Sequence, residues 1–202
     1  MTSRSYSSDV RTAAAAEKRE RVIQTAAELL RQPGNAANLS LDAVAKAAGV
    51  TRLTLYNQFG SRRGLLEAVF DDIAIRGRLG RISQVAALPD PRQGLERMLE
   101  ICCDFWGSDP ALPQIYDAMA FDQELEQSLN ERNERRRQLI QSLLQRIATR
   151  PLKRELLRDS VDMIFALSSL AMFRLLAPGR SPADVQALLK TSVDAVLARF
   201  DH

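Results

Sequence analysis

The stretch of residues 40–59, SLDAVAKAAGVTRLTLYNQF, most constrains the fold of this 202-residue chain. Its pattern predicts two short helices joined by a tight turn. Ser40 is a favourable N-cap residue, and apolar residues then follow with the spacing of one helical face, at Leu41, Val44, Ala45 and Ala48. Gly49 supplies the backbone freedom that a sharp turn after a helix requires. Thr51 is placed to cap a second helix, which buries Leu55 and Phe59.

The other side of the second helix is polar and cationic. At about 100° per residue, five side chains lie on or beside the outward side, or reach it from the first turn: Arg52, Leu53, Thr54, Tyr56 and Asn57. Side chains of these types contact phosphates, base edges and thymine methyl groups. The pattern is therefore typical of a helix-turn-helix. A helical hairpin within an ordinary all-α core has a similar pattern.

Residues 49–66, GVTRLTLYNQFGSRRGLL, resemble the signature of the TetR family of bacterial transcription regulators. The resemblance covers roughly residues 15–75, and it rests on Gly49, Val50, Thr51, Arg52, Thr54, Leu55, Tyr56, Phe59, Ser61, Arg62, Leu65 and Leu66. The chain departs from the usual pattern at Leu53, where a small residue is common, and at Gln58, where His is common. Arg62 replaces the usual Lys and keeps the positive charge.

This resemblance, together with the absence of alternating strand-like runs, predicts an all-α protein of about nine helices. We expect a disordered N-terminal tail over 1–12, a three-helix helix-turn-helix domain over 13–75 and a ligand-binding and dimerisation domain over 76–202. The resemblance implies a dimer that binds a palindromic double-stranded DNA operator, most often as a repressor. The predicted DNA-contacting residues are Ser40, Thr51, Arg52, Leu53, Thr54, Tyr56, Asn57 and Arg62.

The charge distribution agrees with a nucleic-acid partner. Residues 1–70 carry ten Lys and Arg against six Asp and Glu, whereas residues 71–202 carry eighteen against nineteen. A basic first third favours a polyanion. Within it, Lys18, Arg19 and Arg21 on the first predicted helix are further candidates for phosphate contacts. The charged run at 132–137 mixes Arg with Glu, and we expect it to pair locally on a solvated helix face.

Two apolar helices are predicted near the C-terminus, over 152–177 and 182–200. They are apolar around more than one face, which is typical of buried helices. The first carries small residues that allow close approach of another helix: Ala166, Ser168, Ser169 and Ala171. We expect these two helices to pack against the same two helices of a second copy and so form a homodimer. The TetR resemblance implies the same arrangement, a four-helix bundle. Burial within the chain's own core is the alternative.

Aromatic, Met and Cys side chains predict a pocket for an apolar small-molecule effector between helices of the C-terminal domain. They are Cys102, Phe105, Trp106, Tyr116, Met119, Phe121 and Phe165, with Met163 and Phe173 nearby. The same pattern is also typical of a plain core. An effector bound there is expected to move the helix that follows the helix-turn-helix, which would change the spacing of the two recognition helices in the dimer.

Several chemistries are disfavoured by what the sequence contains. The only histidine is His202, which argues against a His-based metal site or a Ser-His-Asp triad. No Gly-rich phosphate loop is present, so we predict no catalytic residues, metal or cofactor, and no enzyme. An all-α module that binds only proteins is the second hypothesis, and the salt dependence of DNA binding distinguishes it from the first.

The cysteines and the hydropathy pattern predict a cytoplasmic location. Cys102 and Cys103 are adjacent, and consecutive Cα atoms, about 3.8 Å apart, lie below the usual disulfide range. We expect structural thiols, with a thiol sensor as the alternative. The most apolar stretch, 161–177, contains Asp162 and Arg174 and is shorter than the ~20 residues that span a membrane. We therefore predict no membrane association.

Overall fold

The computed structural model describes residues 3–32, 34, 39–119 and 123–200. All regular elements within these ranges are helical, which confirms the predicted all-α class. The α-helices are α1 (Ser3–Arg31), α2 (Leu41–Ala48), α3 (Arg52–Phe59), α4 (Arg62–Arg76), α5 (Pro91–Trp106), α6 (Ala111–Met119), α7 (Gln123–Ile147), α8 (Arg154–Leu167), α9 (Leu170–Leu176) and α10 (Pro182–Leu197). Two 3₁₀ helices add Leu79–Ala87 and Ala198–Phe200.

The chain forms two compact units. The first comprises Met1–Ile73 with Pro110–Leu125, so it contains α6, which the sequence analysis places in the C-terminal domain. In this unit α1 contacts α2 and α6, and α2 contacts α3. Apolar side chains from α1, α3, α4 and α6 form its centre: Val22, Ala26, Leu30, Leu55, Leu65, Leu66, Leu112 and Ile115. The unit therefore holds α3 by its apolar side.

The second unit comprises Ala74–Asp109 with Glu126–His202. Here α5 contacts the first 3₁₀ helix and α10, and α10 contacts α8. Side chains from α5, α7, α8 and α10 are buried between them: Leu95, Met98, Leu99, Phe105, Leu143, Leu144, Ile164, Val185 and Leu189. The guanidinium of Arg146 donates to the carbonyl oxygens of Ala86 at 2.8 Å and Leu88 at 2.6 Å, which ties α7 to the segment before α5.

The start of the first helix differs from the prediction. The structure begins α1 at Ser3, where the sequence analysis expects a disordered tail over 1–12. The run at 13–16 is all Ala, and the first residue that stops a helix is Pro33. No local feature therefore makes residue 13 a helix boundary. Between α4 and α5 the structure also contains the 3₁₀ helix Leu79–Ala87.

The predicted single helix over 152–177 is wrong, because the structure divides it into α8 and α9. The backbone leaves the helical conformation at Ser169, with φ −82° and ψ 157°. The Ser169 hydroxyl oxygen accepts a hydrogen bond from the backbone N–H of Met172 at 3.2 Å, which caps α9. The Ser168 hydroxyl donates to the carbonyl oxygen of Phe165 at 3.1 Å. Two consecutive serines therefore end one helix and begin another.

The start of α4 approaches the end of α3 very closely. A Cβ atom added at Gly64 would lie 2.0 Å from the carbonyl oxygen of Phe59, a distance that no side chain tolerates. Because the obstacle is backbone, the clash cannot be relieved by rotating a side chain. Glycine at this position therefore permits the turn that orients α3 against the first unit.

We predict that Gly64→Ala destabilises the protein by about 3 kcal/mol or more, because α3 and α4 must separate to admit the methyl group. Urea denaturation followed by far-UV circular dichroism measures the change. Gly80→Ala is the matched control, because a Cβ there meets nothing within 4 Å. Its stability should be unchanged or slightly raised. Equal stability of the two variants would show that the Gly64 contact is not a constraint.

Candidate nucleic-acid interface and effector site

The turn between α2 and α3 has the capping bonds that the sequence predicts. The Ser40 hydroxyl oxygen accepts from the N–H of Ala43 at 3.1 Å, and the Thr51 hydroxyl oxygen accepts from the N–H of Thr54 at 3.1 Å. Gly49 adopts a left-handed conformation with φ +66°. Each helix end is thereby satisfied by a local side chain or by glycine. The roles of Ser40 and Thr51 as caps are confirmed, and their contacts with DNA stay a prediction.

The outward side of α3 is exposed. Leu55 and Phe59 are buried, whereas Leu53 and Tyr56 are 67% and 61% exposed. Arg52 and Asn57 are also exposed, and Thr54 is half-buried. The exposed side chains of α3 thus include an apolar, an aromatic, a cationic and an amide group. This surface suits groove edges and phosphates.

Two arginines near α3 already have partners within the first unit. Arg52 forms an ion pair with Asp42 of α2 at 3.2 Å, and both side chains are exposed. Nε of Arg62 donates to the carbonyl oxygen of Leu39 at 2.7 Å. Arg62 therefore helps to hold the residue that precedes the Ser40 cap, and its phosphate contact stays a prediction. Asp42 was not among the predicted site residues, although it lies in the first turn of α2.

A third arginine lies against the end of α3. The guanidinium of Arg19, on α1, sits 4.5 Å from the centre of the Phe59 ring. The stacking holds a positive charge beside the recognition helix. Arg19 thus remains a candidate for a phosphate contact, as its place in the basic N-terminal third indicates.

The predicted effector residues fall in different places. Cys102, Phe105 and Trp106 of α5 are buried in the second unit, where Phe165 of α8 is half-buried. Tyr116 belongs to the first unit, where its ring lies 6.4 Å from that of Phe70. Met119 ends α6, and nothing is described of its side chain. Phe121 lies outside the described residues. Of the two neighbouring candidates, Phe173 is buried, but Met163 is exposed and is not part of an interior wall.

The structure adds Arg136, on α7, to the candidates in the second unit. Its guanidinium lies 5.9 Å from the Trp106 ring centre and 4.5 Å from that of Phe165. The carbonyl oxygen of Ser168 accepts hydrogen bonds from Nη1 of Arg136 at 3.3 Å and from Nε1 of Trp106 at 3.0 Å. Three predicted effector residues, Cys102, Trp106 and Phe165, therefore meet around an arginine that the sequence analysis assigned to a solvated charge run.

A second arginine near Phe165, Arg137, already has a carboxylate partner. Arg137 lies 4.0 Å from the Phe165 ring centre and forms an ion pair with Asp162. This pair borders a surface cleft of about 280 Å³ between α7 and α8, lined by Glu134, Arg137, Gln141, Arg154, Leu157, Arg158, Val161 and Asp162. Phe165 thus lies close to two guanidinium groups, of which one has a carboxylate partner.

Both cysteine thiols stay protonated. Burial raises the pKa of Cys102 above its ordinary value, although the nearby Arg136 acts in the opposite direction. Burial and the neighbouring Cys102 and Asp104 raise the pKa of Cys103 to about 12. Reactive sensor cysteines have lowered pKa values and are accessible. The structure therefore favours the structural role of the thiols over the sensor.

The described residues also bear on metal binding and on membrane crossing. No group of three or more His, Cys, Asp or Glu side chains in the described ranges is arranged to hold a metal ion. None of the described helices combines the length and the hydropathy needed to cross a lipid bilayer.

The capped turn and the exposed polar side of α3 form a helix-turn-helix, a motif typical of DNA-binding proteins. A family model described as bacterial regulatory proteins of the tetR family matches residues 22–69, which run from α1 to α4. Together with the relatives below, this match confirms the resemblance to the TetR family found in the sequence. Members of this family are DNA-binding transcriptional regulators, typically repressors.

Two relatives are similar over different lengths. The HTH-type transcriptional regulator EthR of Mycolicibacterium smegmatis is 33% identical over 96 residues, 47% of this chain and 44% of EthR. The match thus spans less than half the length of that regulator. The nucleoid occlusion factor SlmA of Vibrio campbellii is 29% identical over 147 residues, 70% of this chain and 67% of SlmA.

Solved structures share the fold over most of the chain. A TetR-family regulator from Rhodococcus sp. superposes with a TM-score of 0.67 at 22% identity, covering 90% of this chain and 99% of that one. NalD of Pseudomonas aeruginosa, described as the secondary repressor of a multidrug efflux pump, gives 0.68 at 18% identity, covering 91% and 96%. These likenesses establish that both units follow the TetR fold.

The raised thiol pKa values predict that neither cysteine of the native protein reacts with Ellman's reagent at pH 8, whereas both react after denaturation. The raised thiol pKa values also make the stability of the protein depend on pH. The stability that the protonated thiols contribute is complete below the unfolded pKa of 9.0 and is lost as pH rises towards the folded pKa values. The rate of thiol release with and without guanidinium measures this. A native thiol that reacts at the denatured rate would contradict the assignment and revive the sensor alternative.

Proposed function

We propose that this chain is an effector-responsive transcriptional repressor that binds a palindromic operator as a homodimer. The observation that carries the proposal is the division of α3 into a buried apolar side and an exposed side bearing Arg52, Leu53, Tyr56 and Asn57. An eight-residue helix with this division, preceded by a capped turn, suits insertion into a major groove. Its expected location is the cytoplasm, where DNA is the partner and free thiols persist.

The proposed contacts follow from the chemistry of each side chain. Arg52 and Asn57 carry planar donor groups and contact base edges in the groove. Leu53 contacts a thymine methyl group, which is the apolar feature of the major groove. Phosphate contacts come from hydroxyl and cationic groups of the helix-turn-helix and the start of α4: Ser40, Thr51, Thr54, Tyr56 and Arg62.

The Arg52–Asp42 ion pair is consistent with this role. Both side chains are more than half exposed, so the pair contributes at most about 1 kcal/mol. Arg52 can therefore leave Asp42 for a base or phosphate at little cost. Asp42 also holds the Arg52 side chain near the helix start while DNA is absent.

The dimer is proposed to form through α8, α9 and α10, the region predicted as helices 152–177 and 182–200. Among the described residues, six large apolar side chains are exposed, and three of them lie on these helices: Met163 at 51%, Leu175 at 76% and Leu188 at 43%. Exposed apolar side chains on neighbouring helices favour association. Two recognition helices in such a dimer would meet half-sites about 34–36 Å apart.

Effector response is proposed to reach α4 through its last residue. Arg76 forms an ion pair with Asp109, a buried carboxylate that follows α5 by three residues. A small molecule bound beside Trp106, at the end of α5, would shift this segment and with it the end of α4. Linkage requires that the effector bind the conformation with low DNA affinity more tightly, and DNA must weaken effector binding by the same factor.

The longer match to SlmA favours a second candidate, a DNA-binding nucleoid occlusion factor. The two candidates share the interface on α3 and differ in what DNA binding does. A repressor lowers transcription from a promoter that contains its operator, and deletion of the gene restores it. An unchanged transcript profile after deletion, with DNA binding intact, would favour the second candidate.

We predict that Arg52→Ala weakens operator binding by about tenfold or more, because a bidentate contact to a base edge is lost. Fluorescence anisotropy at fixed salt, with a duplex selected from a random library, measures the affinity. Arg150→Ala is the control, since it removes the same charge from an exposed position in the second unit. The two variants should have the same dimerisation constant as the wild type. Equal operator affinity of both variants would remove Arg52 from the interface.

A second prediction concerns the dimer. The double variant Met163→Glu, Leu175→Glu should be monomeric in sedimentation velocity, because the new carboxylates are buried on association without partners. It should also lose most of its operator affinity, since two half-sites are no longer bound together.

Ile75→Glu is the matched control for this double variant, because Ile75 is 78% exposed but lies on α4. It should remain dimeric. A dimeric Met163→Glu, Leu175→Glu protein would place the interface elsewhere.

A further inference from the structure

The environment of Arg136 is not explained by the fold. Its guanidinium donates to two neutral oxygens, the Ser168 carbonyl at 3.3 Å and Oδ1 of Asn133 at 3.4 Å. Its Nε is buried and has no hydrogen-bond partner among the described residues. No carboxylate in the described part of the chain pairs with it, in contrast to Arg137, which pairs with Asp162.

The groups around this guanidinium are apolar or neutral. The ring centres of Phe165 and Trp106 lie 4.5 Å and 5.9 Å from it. The Cys102 thiol is also close, but its raised pKa keeps it protonated, so it supplies no negative charge. A second buried polar atom without a partner, Oγ of Ser160, lies on α8, the helix that carries Phe165. The surroundings thus leave one positive charge uncompensated.

A charge held among aromatic rings without a counter-ion raises the free energy of the folded state, and a bound anion lowers it. The planar guanidinium matches a carboxylate in geometry and forms two parallel hydrogen bonds with it. Because Asp162 already balances Arg137, one cation of this cluster of described residues is left to be compensated, so a monoanion balances the charge, whereas a phosphate dianion does not. Arg136 and Phe165 are both partly exposed, which lets a small molecule reach the guanidinium from solvent.

We propose that Arg136 anchors an organic monocarboxylate whose apolar body lies against the rings of Phe165 and Trp106. This assignment rests on the proposed effector site and gives the effector its chemical class: an apolar body, as the aromatic residues predict, with one acidic group. Arg136 supplies the orientation and the charge selectivity, and the rings supply apolar contact area. Arg137 is not a second anchor, because Asp162 already balances its charge.

Trp106 is the only tryptophan in the chain, so its fluorescence reports directly on this site. Octanoate and benzoate, with octanamide and benzamide as uncharged counterparts, are titrated into the dimer, and calorimetry confirms the stoichiometry. We expect at least one carboxylate to bind at millimolar concentration or below, and its amide to bind at least about tenfold more weakly. Failure of both carboxylates to bind up to about 10 mM, or equal affinity for the amides, overturns the proposal.

Arg136→Met tests the anchor itself, because it keeps the apolar stem and removes the charge. We expect it to bind the carboxylate at least about tenfold more weakly and to retain the weak binding of the amide. Arg135→Met is the matched control, since Arg135 is the exposed neighbour on the same helix, and its affinity should equal that of the wild type. Wild-type affinity in Arg136→Met overturns the assignment. If that variant does not fold, Arg136→Lys replaces it, with a smaller loss expected because the forked geometry is absent.

The proposed repressor function is tested separately by operator binding without any acid. If the operator is bound but neither carboxylate binds, only the Arg136 assignment falls. If a carboxylate binds through Arg136 and operator affinity does not change, the acid site stands and the proposed effector release falls.

Discussion

The burial of Leu55 and Phe59 is the interaction on which the DNA-binding surface depends. An isolated helix of eight residues is not stable in water, because helices shorter than about 12–15 residues are marginal. Burying each of these two side chains contributes roughly 1.5–3 kcal/mol, which is enough to hold α3 in place. The close approach of Gly64 to the Phe59 carbonyl then fixes the angle at which α3 leaves the unit. Since the apolar side and the Gly64 contact set the orientation, the outward residues can vary without changing how α3 packs.

The helix-turn-helix was predictable because its determinants are local. The Ser40 and Thr51 caps, the left-handed Gly49 and the apolar spacing all act within a few residues, and each was identified from the sequence. The break between α8 and α9 was not predictable in this way. Serines within an apolar helix also occur as small residues at helix contacts, and the sequence analysis gave Ser168 and Ser169 that role. What distinguishes them is the bond from Trp106 to the Ser168 carbonyl, between residues 62 positions apart.

The candidate effector site was also only partly predictable from local sequence patterns. The sequence indicated Cys102, Trp106 and Phe165, but it did not indicate the arginine between them. A signal existed, because Arg136 precedes the buried Ile140 by four positions and therefore shares its helix face. Long cationic side chains at the edge of an apolar face usually extend to solvent, so the spacing alone does not distinguish a buried head group from an exposed one. The distinction is made by ring faces on α5 and α8, which no local pattern reveals.

The arginine proposed to bind DNA and the arginine proposed to bind the effector differ in the free-energy cost of their unbound state. Arg52 is exposed and paired with Asp42, so water and a weak partner satisfy it until a groove is offered. Arg136 is surrounded by rings and neutral oxygens, with one buried nitrogen unsatisfied, so its free state is the less favourable one. A surface contact of the first kind allows rapid exchange between DNA sites. A contact of the second kind favours binding of an anion, because the anion compensates a charge that the free protein leaves among rings and neutral oxygens.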